Sequence, residues 1–444
     1  MFRLPAAFVL PATIALAASF TQSLSAQNAP APTAQVPASP SGCVTHVIAF
    51  ANDAWSKQKT TGMSATQIRA ATAAEARACR AKLDTASIPT LELPSLARLH
   101  AISGDTAAAV ATIRRYVALD APNASVRAER AVAALPTLIA LRSDDMLSIA
   151  EQLTATIDTL HDAPLTRVVA AHTALLDYYR AVDVDDRMDL HARRIIALAP
   201  SLTPADRKVS ASGLRLAYTS LAEVYGDRAQ ADSAVGILTR GEHDLADLPA
   251  VVQTLRPVRD RYALVGTHAK AIVAPAWLDS AGVTTPSAAG TKYDPTGHVT
   301  IVEFTAHWCG PCRKSYPTMA RLQQRYASRG VQTVFVTSLF GFFKDRQNLT
   351  PDDELKADHE YYFKEHELPI RVAVTPAESD DAANAVAPDL YPNTANYHVA
   401  GIPHIVVIDR TGTIRMIVIG WDPASEARLA SMLDALTATP VATR

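Results

Sequence analysis

Hydrophobic positions along this chain follow two rhythms, and the change between them falls near Gly266. From Ser64 to about Leu264 apolar residues recur at steps of three and four, the spacing of one helix face. Ser64-Ala65-Thr66-Gln67 spells a capping box, so a helix is predicted from there to about Leu83. Leu96, Ala97 and His100, then Gly104-Asp105, then Ala109, Ile113 and Tyr116 predict a helical hairpin, closed by Pro122. Met146, Ile149, Leu153, Ile157 and Leu160 share one helix face. Leu221, Ala222 and Tyr225, then Ala234 and Leu238, repeat the hairpin spacing. The stretch with Tyr178, Tyr179 and Ile195 fits it less well.

Beyond Gly266 short runs of β-formers take over. Residues 299–305 and 331–337 predict buried strands, with a helix between them from Arg313 through Tyr316, Met319, Leu322 and Tyr326. Thr350 at a cap, Pro351 at the first position and Asp352, Asp353 and Glu354 in the first turn predict a helix to about Glu367, its acids complementing the dipole. Residues 370–374 predict another strand. The acidic, Pro-containing stretch 375–396 predicts a long functional or disordered loop. Residues 405–408 and 414–419, joined by Asp409-Arg410-Thr411-Gly412, predict a hairpin, and 425–436 a covering helix.

The candidate chemistry sits between the first strand and its helix, at Trp308-Cys309-Gly310-Pro311-Cys312. Two thiols two residues apart can close a small disulfide ring and open it again. At a helix N-terminus the unpaired N–H groups and the dipole stabilise a thiolate on Cys309, which makes it the nucleophile and leaves Cys312 to resolve. Half a zinc site is the other reading of such a pair, and it needs two more ligands at close spacing. His307 lies before the loop, and His359, His366, His398 and His404 are distant, so neither a metal nor a cofactor is expected. A purely structural disulfide is the remaining alternative.

With Trp308 before the pair, Glu303 six residues upstream of Cys309, Pro317 five after Cys312, and a later Gly401-Ile402-Pro403, about the last 170 residues resemble thioredoxin, and within that superfamily the TlpA-like/ResA-like thiol-disulfide oxidoreductases of bacterial envelopes. The resemblance implies an α/β thioredoxin fold, with the short β-elements around Ala274-Pro275-Ala276-Trp277-Leu278 preceding the first core strand. It implies that Glu303 is a buried general base for Cys312, against the plain alternative of a surface glutamate, and that Pro403 is a cis-proline facing the dithiol. Ile402 would then pair its backbone with substrate, Gly310 and Pro311 would contact it, and Trp308 would wall the site unless it is an ordinary core aromatic. Thr305, His307 and His404 depart from the family pattern; His404 reads as a solvated strand residue, with tuning of the dithiol as the alternative. Pro317 reads as a helix kink.

The remaining features set the context. A length of 444 residues allows two or three domains, and a net charge of −2 gives no reason to expect nucleic acid as a partner. Arg3, the apolar run to Ala18 and Ser23-Leu24-Ser25-Ala26 have the form of an export signal, too short and broken for a durable span. The expected organisation is multidomain: 1–26 a signal peptide, 27–42 a disordered Pro/Ala-rich linker, 43–265 an all-α domain of helical hairpins weakly resembling tetratricopeptide repeats, and 266–444 the thioredoxin-like domain. In an exported chain Cys43 and Cys79 are expected to bridge each other. The function expected is an exported, periplasmic thiol-disulfide oxidoreductase that reduces client proteins. Its electrons would come from a membrane thiol relay, and the helical domain is a candidate protein-binding surface. The alternatives are an assembly protein with a regulatory dithiol and a thiol peroxidase, though the Pro-x-x-x-Thr-x-x-Cys pattern of the latter is absent before Cys309.

Overall fold

The computed structural model describes residues 39–84, 87–285, 291–376, 392–422 and 424–438. The expected signal peptide, residues 27–38 of the expected linker and residues 377–391 of the acidic loop lie outside the described residues. The chain forms two compact units that divide between Val184 and Asp185.

The first unit is helical throughout its described residues. The Ser64 capping box forms: Ser64 Oγ accepts from the Gln67 N–H at 3.2 Å while Gln67 Oε1 accepts from the Ser64 N–H at 2.7 Å. The helix it starts, Ala65–Arg80, stops three residues short of Leu83. A disulfide joins Cys79 on this helix to Cys43 on Pro40–Ser56, and both cysteines are buried. Helices Leu93–Ile102 and Thr106–Val117 make the hairpin read around Gly104-Asp105. Gly104 turns with φ 85°, a conformation that disfavours any side chain, and Asp105 caps the second helix at the Ala108 N–H.

The second unit begins with helices Asp185–Leu198, Ala211–Asp227, Ala231–Asp244 and Pro249–Tyr262, and residues 185–265 thus cluster with the sheet that follows them. Gly241 lets two of these helices close: a Cβ there would lie 2.8 Å from the Tyr218 ring. Several bonds tie the helices to the sheet. Ala211–Asp227 packs on strand Ile414–Ile419, the buried Arg261 guanidinium donates to the His398 carbonyl at 3.2 Å, and the Gly266 N–H donates to the Ile414 carbonyl at 2.8 Å. Leu264 and Val265 pack against the apolar cluster on one sheet face. The change of rhythm near Gly266 therefore marks where β-structure begins, while the packing unit starts earlier.

Seven strands form the main sheet, in the spatial order Ile414–Ile419, His404–Ile408, Val299–Phe304, Val331–Ser338, Arg371–Thr375, Ala276–Asp279, Gly282–Thr284. Val299–Phe304 runs parallel to Val331–Ser338 and antiparallel to His404–Ile408. It is buried along its whole length, which is why it reads as a nearly continuous apolar run. Successive side chains alternate between faces. Val299 and Ile301 join the cluster that holds Cys309, Cys312, Tyr316, Leu355 and Leu429, while Val302 and Phe304 join the opposite one. His404, read as solvated, is instead completely buried, because its strand lies between two others and the sheet is covered on both faces. Glu354 also differs from its reading. It lies in the first turn of Pro351–Glu360, but its carboxylate is buried and accepts the N–H groups of Phe340 and Gly341 at 2.7 and 2.8 Å.

Candidate active site

Strand Val299–Phe304 delivers the chain to the loop 305–309, and helix Gly310–Tyr326 starts at once, with Cys309 as its N-cap and Pro311 in its first turn. A proline there costs nothing, since its missing N–H would have no intrahelical partner. Cys309 and Cys312 are joined by a disulfide, with their Cα atoms 5.3 Å apart. The Cys312 N–H points at Cys309 Sγ from 3.2 Å. This is the donor that would stabilise negative charge on that sulfur once the bond opens. Cys309 is 4% exposed and Cys312 is 0%, so of the two only Cys309 reaches the surface.

The Ile402–Pro403 peptide bond is cis, and the Ile402 carbonyl oxygen lies 3.8 Å from Cys309 Sγ. Gly401 is exposed and Ile402 half-buried, so this stretch forms a rim beside the disulfide. Trp308 forms the facing rim. It is 49% exposed and stands edge-on to Phe340 at 5.4 Å. Between them opens a cleft of about 870 Å³, lined by Trp308, Phe340, His398, Gly401 and Ile402 and also by Pro257 of the helical segment. Gly310 has only the Arg313 guanidinium near the place where a Cβ would stand.

Glu303 is completely buried on the sheet face that carries Cys312. Burial pushes its carboxyl up to about 8, opposed only by a hydrogen bond from Ser315. Ser315 Oγ stands 2.7 Å from Glu303 Oε1 and 2.7 Å from the Cys312 carbonyl oxygen, bridging the acid to the second cysteine. A hydroxyl has one proton to give, so it can serve the carbonyl while a protonated Glu303 donates to it, or turn to an ionised Glu303. Sequence reasoning passed over Ser315. The available signal was its position one helical turn after Cys312, on the face turned to the strand. Neither ring nitrogen of His404 has a hydrogen-bond partner among the described residues, and burial pushes its imidazole down to about 3, so it is neutral at physiological pH.

Residues 291–433 match the Redoxin family model. Solved structures that resemble the chain include a candidate thiol:disulfide interchange protein DsbE from Chlorobium tepidum, with 27% identity over 39% of this chain and 97% of that one and a TM-score of 0.27. A thiol-disulfide isomerase from Corynebacterium glutamicum shares 20% identity over 39% of this chain and 98% of its own, with a TM-score of 0.29. A thioredoxin-family thiol:disulfide interchange protein from Chlorobium tepidum TLS shares 23% identity over 38% and 98%, with a TM-score of 0.25. No curated protein matches the sequence.

Proposed function

We propose, from the premise that the C-terminal region is a thioredoxin-superfamily domain with thiol-disulfide oxidoreductase chemistry, that the chain reduces disulfides of exported client proteins through Cys309 and Cys312. The observation that carries this reading is the bonded pair at a helix N-terminus, with Cys309 following Trp308 of the cleft wall and lying 3.8 Å from the Ile402 carbonyl oxygen, and Cys312 fully buried.

In the reduced enzyme the Cys309 thiolate attacks one sulfur of the client disulfide, forming a mixed disulfide and releasing the first client thiolate. Ile402 and Trp308 border the cleft on either side, and the client backbone would lie along the stretch preceding Pro403, adding an extended strand there. Gly310 and Pro311, between the two cysteines, leave the approach to Cys309 free of bulk. Cys312 then gives its proton to ionised Glu303 and attacks Cys309 Sγ. The Cys309–Cys312 bond forms, the mixed disulfide breaks and the second client thiolate leaves. The client gains two electrons and the enzyme loses two, so a dithiol donor must restore it. Export places that donor across the membrane, as a membrane thiol relay; the signal-like N-terminus supports export. A Gly-Pro pair between the cysteines, as in thioredoxin near −270 mV, supports the reducing direction.

The test is turnover of insulin disulfides by the full chain with a dithiol donor. Wild type is expected to reduce them and Cys309→Ser to lose all turnover while keeping its circular dichroism. Equal turnover in both proteins would refute the assignment. Cys312→Ser is expected to hold clients as mixed disulfides that mass spectrometry can identify.

A further inference from the structure

We propose that His307, Glu354 and Asp358 form a divalent-metal site, suited to zinc, beside the redox loop. The three come from two segments: His307 stands two residues before Cys309, while Glu354 and Asp358 are one turn apart on Pro351–Glu360 and so share a helix face. One ligand atom from each lies within 4.8 Å of the others. His307 Nδ1 and Asp358 Oδ1 are 3.4 Å apart, close to the edge of about 3.3 Å that bonds of 2.0–2.1 Å give a tetrahedron.

Burial makes the cluster hard to explain without a cation. Exposure is 4% for His307, 1% for Glu354 and 0% for Asp358. No ring nitrogen of His307 and no carboxylate oxygen of Asp358 makes a well-aligned hydrogen bond among the described residues; their one close approach is the 3.4 Å between His307 Nδ1 and Asp358 Oδ1, an ion-pair contact. Buried polar atoms in that state are costly. A plain His–Asp hydrogen bond would satisfy one atom on each side and leave two carboxylates facing a single imidazole. A divalent cation takes lone pairs from all three groups and balances both carboxylate charges.

The surroundings fit the same reading. Glu354 is held in place by the Phe340 and Gly341 N–H groups, the kind of outer support that orients a metal-binding carboxylate. Phe340, Phe342 and Phe343 pack their rings on His307 at 5.6, 5.3 and 4.8 Å, a dry wall around it. One nitrogen and two carboxylate donors, with a fourth position for water, suit zinc better than the hard ions that demand more oxygens. The expectation of no metal rested on sequence spacing near the cysteines, which cannot see a helix that folds back from 47 residues away. Bound there, the ion would clamp Pro351–Glu360 to the loop that carries the nucleophile.

The test uses the full chain with Cys309→Ser and Cys312→Ser, so that no redox thiol can bind metal. After equilibration with zinc and removal of the excess, elemental analysis is expected to find one equivalent per chain, and titration calorimetry one site. Asp358→Asn and His307→Ala in that background should each weaken zinc binding at least about tenfold with circular dichroism unchanged. X-ray absorption of the zinc-loaded chain should show imidazole and oxygen ligands, and it decides the matter if the variants fail to fold. Absence of stoichiometric zinc, full affinity in both variants, or a first shell without imidazole would each overturn the proposal.

Discussion

A carboxyl group sealed from solvent with a pKa of about 8 is mostly protonated at neutral pH, and this gives Glu303 two opposed effects. As the proposed base for Cys312 it would act through its ionised fraction, so resolution of the mixed disulfide should quicken as pH rises through about 8 and then level off, as single-turnover kinetics would show. Glu303→Gln cannot take the Cys312 proton; resolution should slow about 100-fold while attack by Cys309 changes little. Equal slowing of both steps would mean that the residue is only structural. For stability the sign is reversed. The folded pKa exceeds the ordinary value of 4.5, so the folded state keeps a proton that the unfolded chain releases. The cost grows as pH rises from 4.5 to 8 and amounts to about 3 kcal/mol at pH 7. Glu303→Gln should therefore be more resistant to urea at pH 8 than wild type, and equally resistant at pH 4.5. His404 behaves oppositely. Its folded pKa lies below its unfolded one, so stability is lost as pH falls from 6.5 toward 3, by about 2 kcal/mol at pH 5. His404→Thr should flatten that loss in denaturant titrations at pH 7 and 5. The close pair Cys309 and Cys312 was legible in the local motif, while the burial of Glu303 and the cis bond at Pro403 were expected from the family resemblance. The His307–Asp358 contact was not legible, since packing alone brings the two together; Ser315 was passed over although its place one turn after Cys312 was a usable signal. His404 was misread because alternation along a strand does not tell whether one face of the sheet is covered or both.

Helix caps were the most legible elements, as they are written in four adjacent residues. Ser64-Ala65-Thr66-Gln67 and Thr350-Pro351-Asp352-Asp353 both form the caps they spell, Thr350 Oγ1 accepting from the Asp353 N–H at 3.3 Å. The edges of the five strands read with bounds fall within a residue of those observed, whereas the short strands Gly282–Thr284, Thr291–Tyr293, Phe342–Phe343 and Arg346–Gln347 had no readable bounds, being too short to show an alternation. The fate of Glu354 was not, because helix position says where a side chain starts and tertiary contact decides where it ends. The Cys43–Cys79 bond ties helices Pro40–Ser56 and Ala65–Arg80 across a separation of 36 residues. In the chain-entropy model a loop of that length is worth about 4 kcal/mol. Replacing both cysteines by alanine should lower the unfolding free energy of the first unit by that order, measured by urea titration followed by circular dichroism. In native protein, mild reduction should open Cys309 to alkylation and leave Cys43 and Cys79 unlabelled, since Cys309 lies between exposed Trp308 and Pro311 at a helix start, whereas Cys43 and Cys79 face each other from within two helices. Labelling of all four at the same rate would contradict this.

At the scale of the whole chain, the unit that carries the redox site begins at Asp185. A chain starting at residue 185 should fold and keep the activity of the intact protein. One starting at 266 loses the Arg261 bond to the His398 carbonyl, the apolar cover of Leu264 and Val265, and the Pro257 wall of the cleft. It should melt at lower temperature and bind peptide disulfides more weakly, as differential scanning calorimetry and KM measurements would report. Sequence rhythm could not reveal this, because helices that pack on a sheet and helices that pack on each other carry the same periodicity. The half-exposed indole of Trp308 adds a property of a different kind. The chain has four tryptophans, and this one directly precedes Cys309, the proposed attacking residue. A neighbouring disulfide quenches indole emission more strongly than a thiol does, so the intact protein should brighten on reduction and dim on turnover. The molecule thus carries its own optical reporter, and the catalytic cycle can be followed in real time with no added dye.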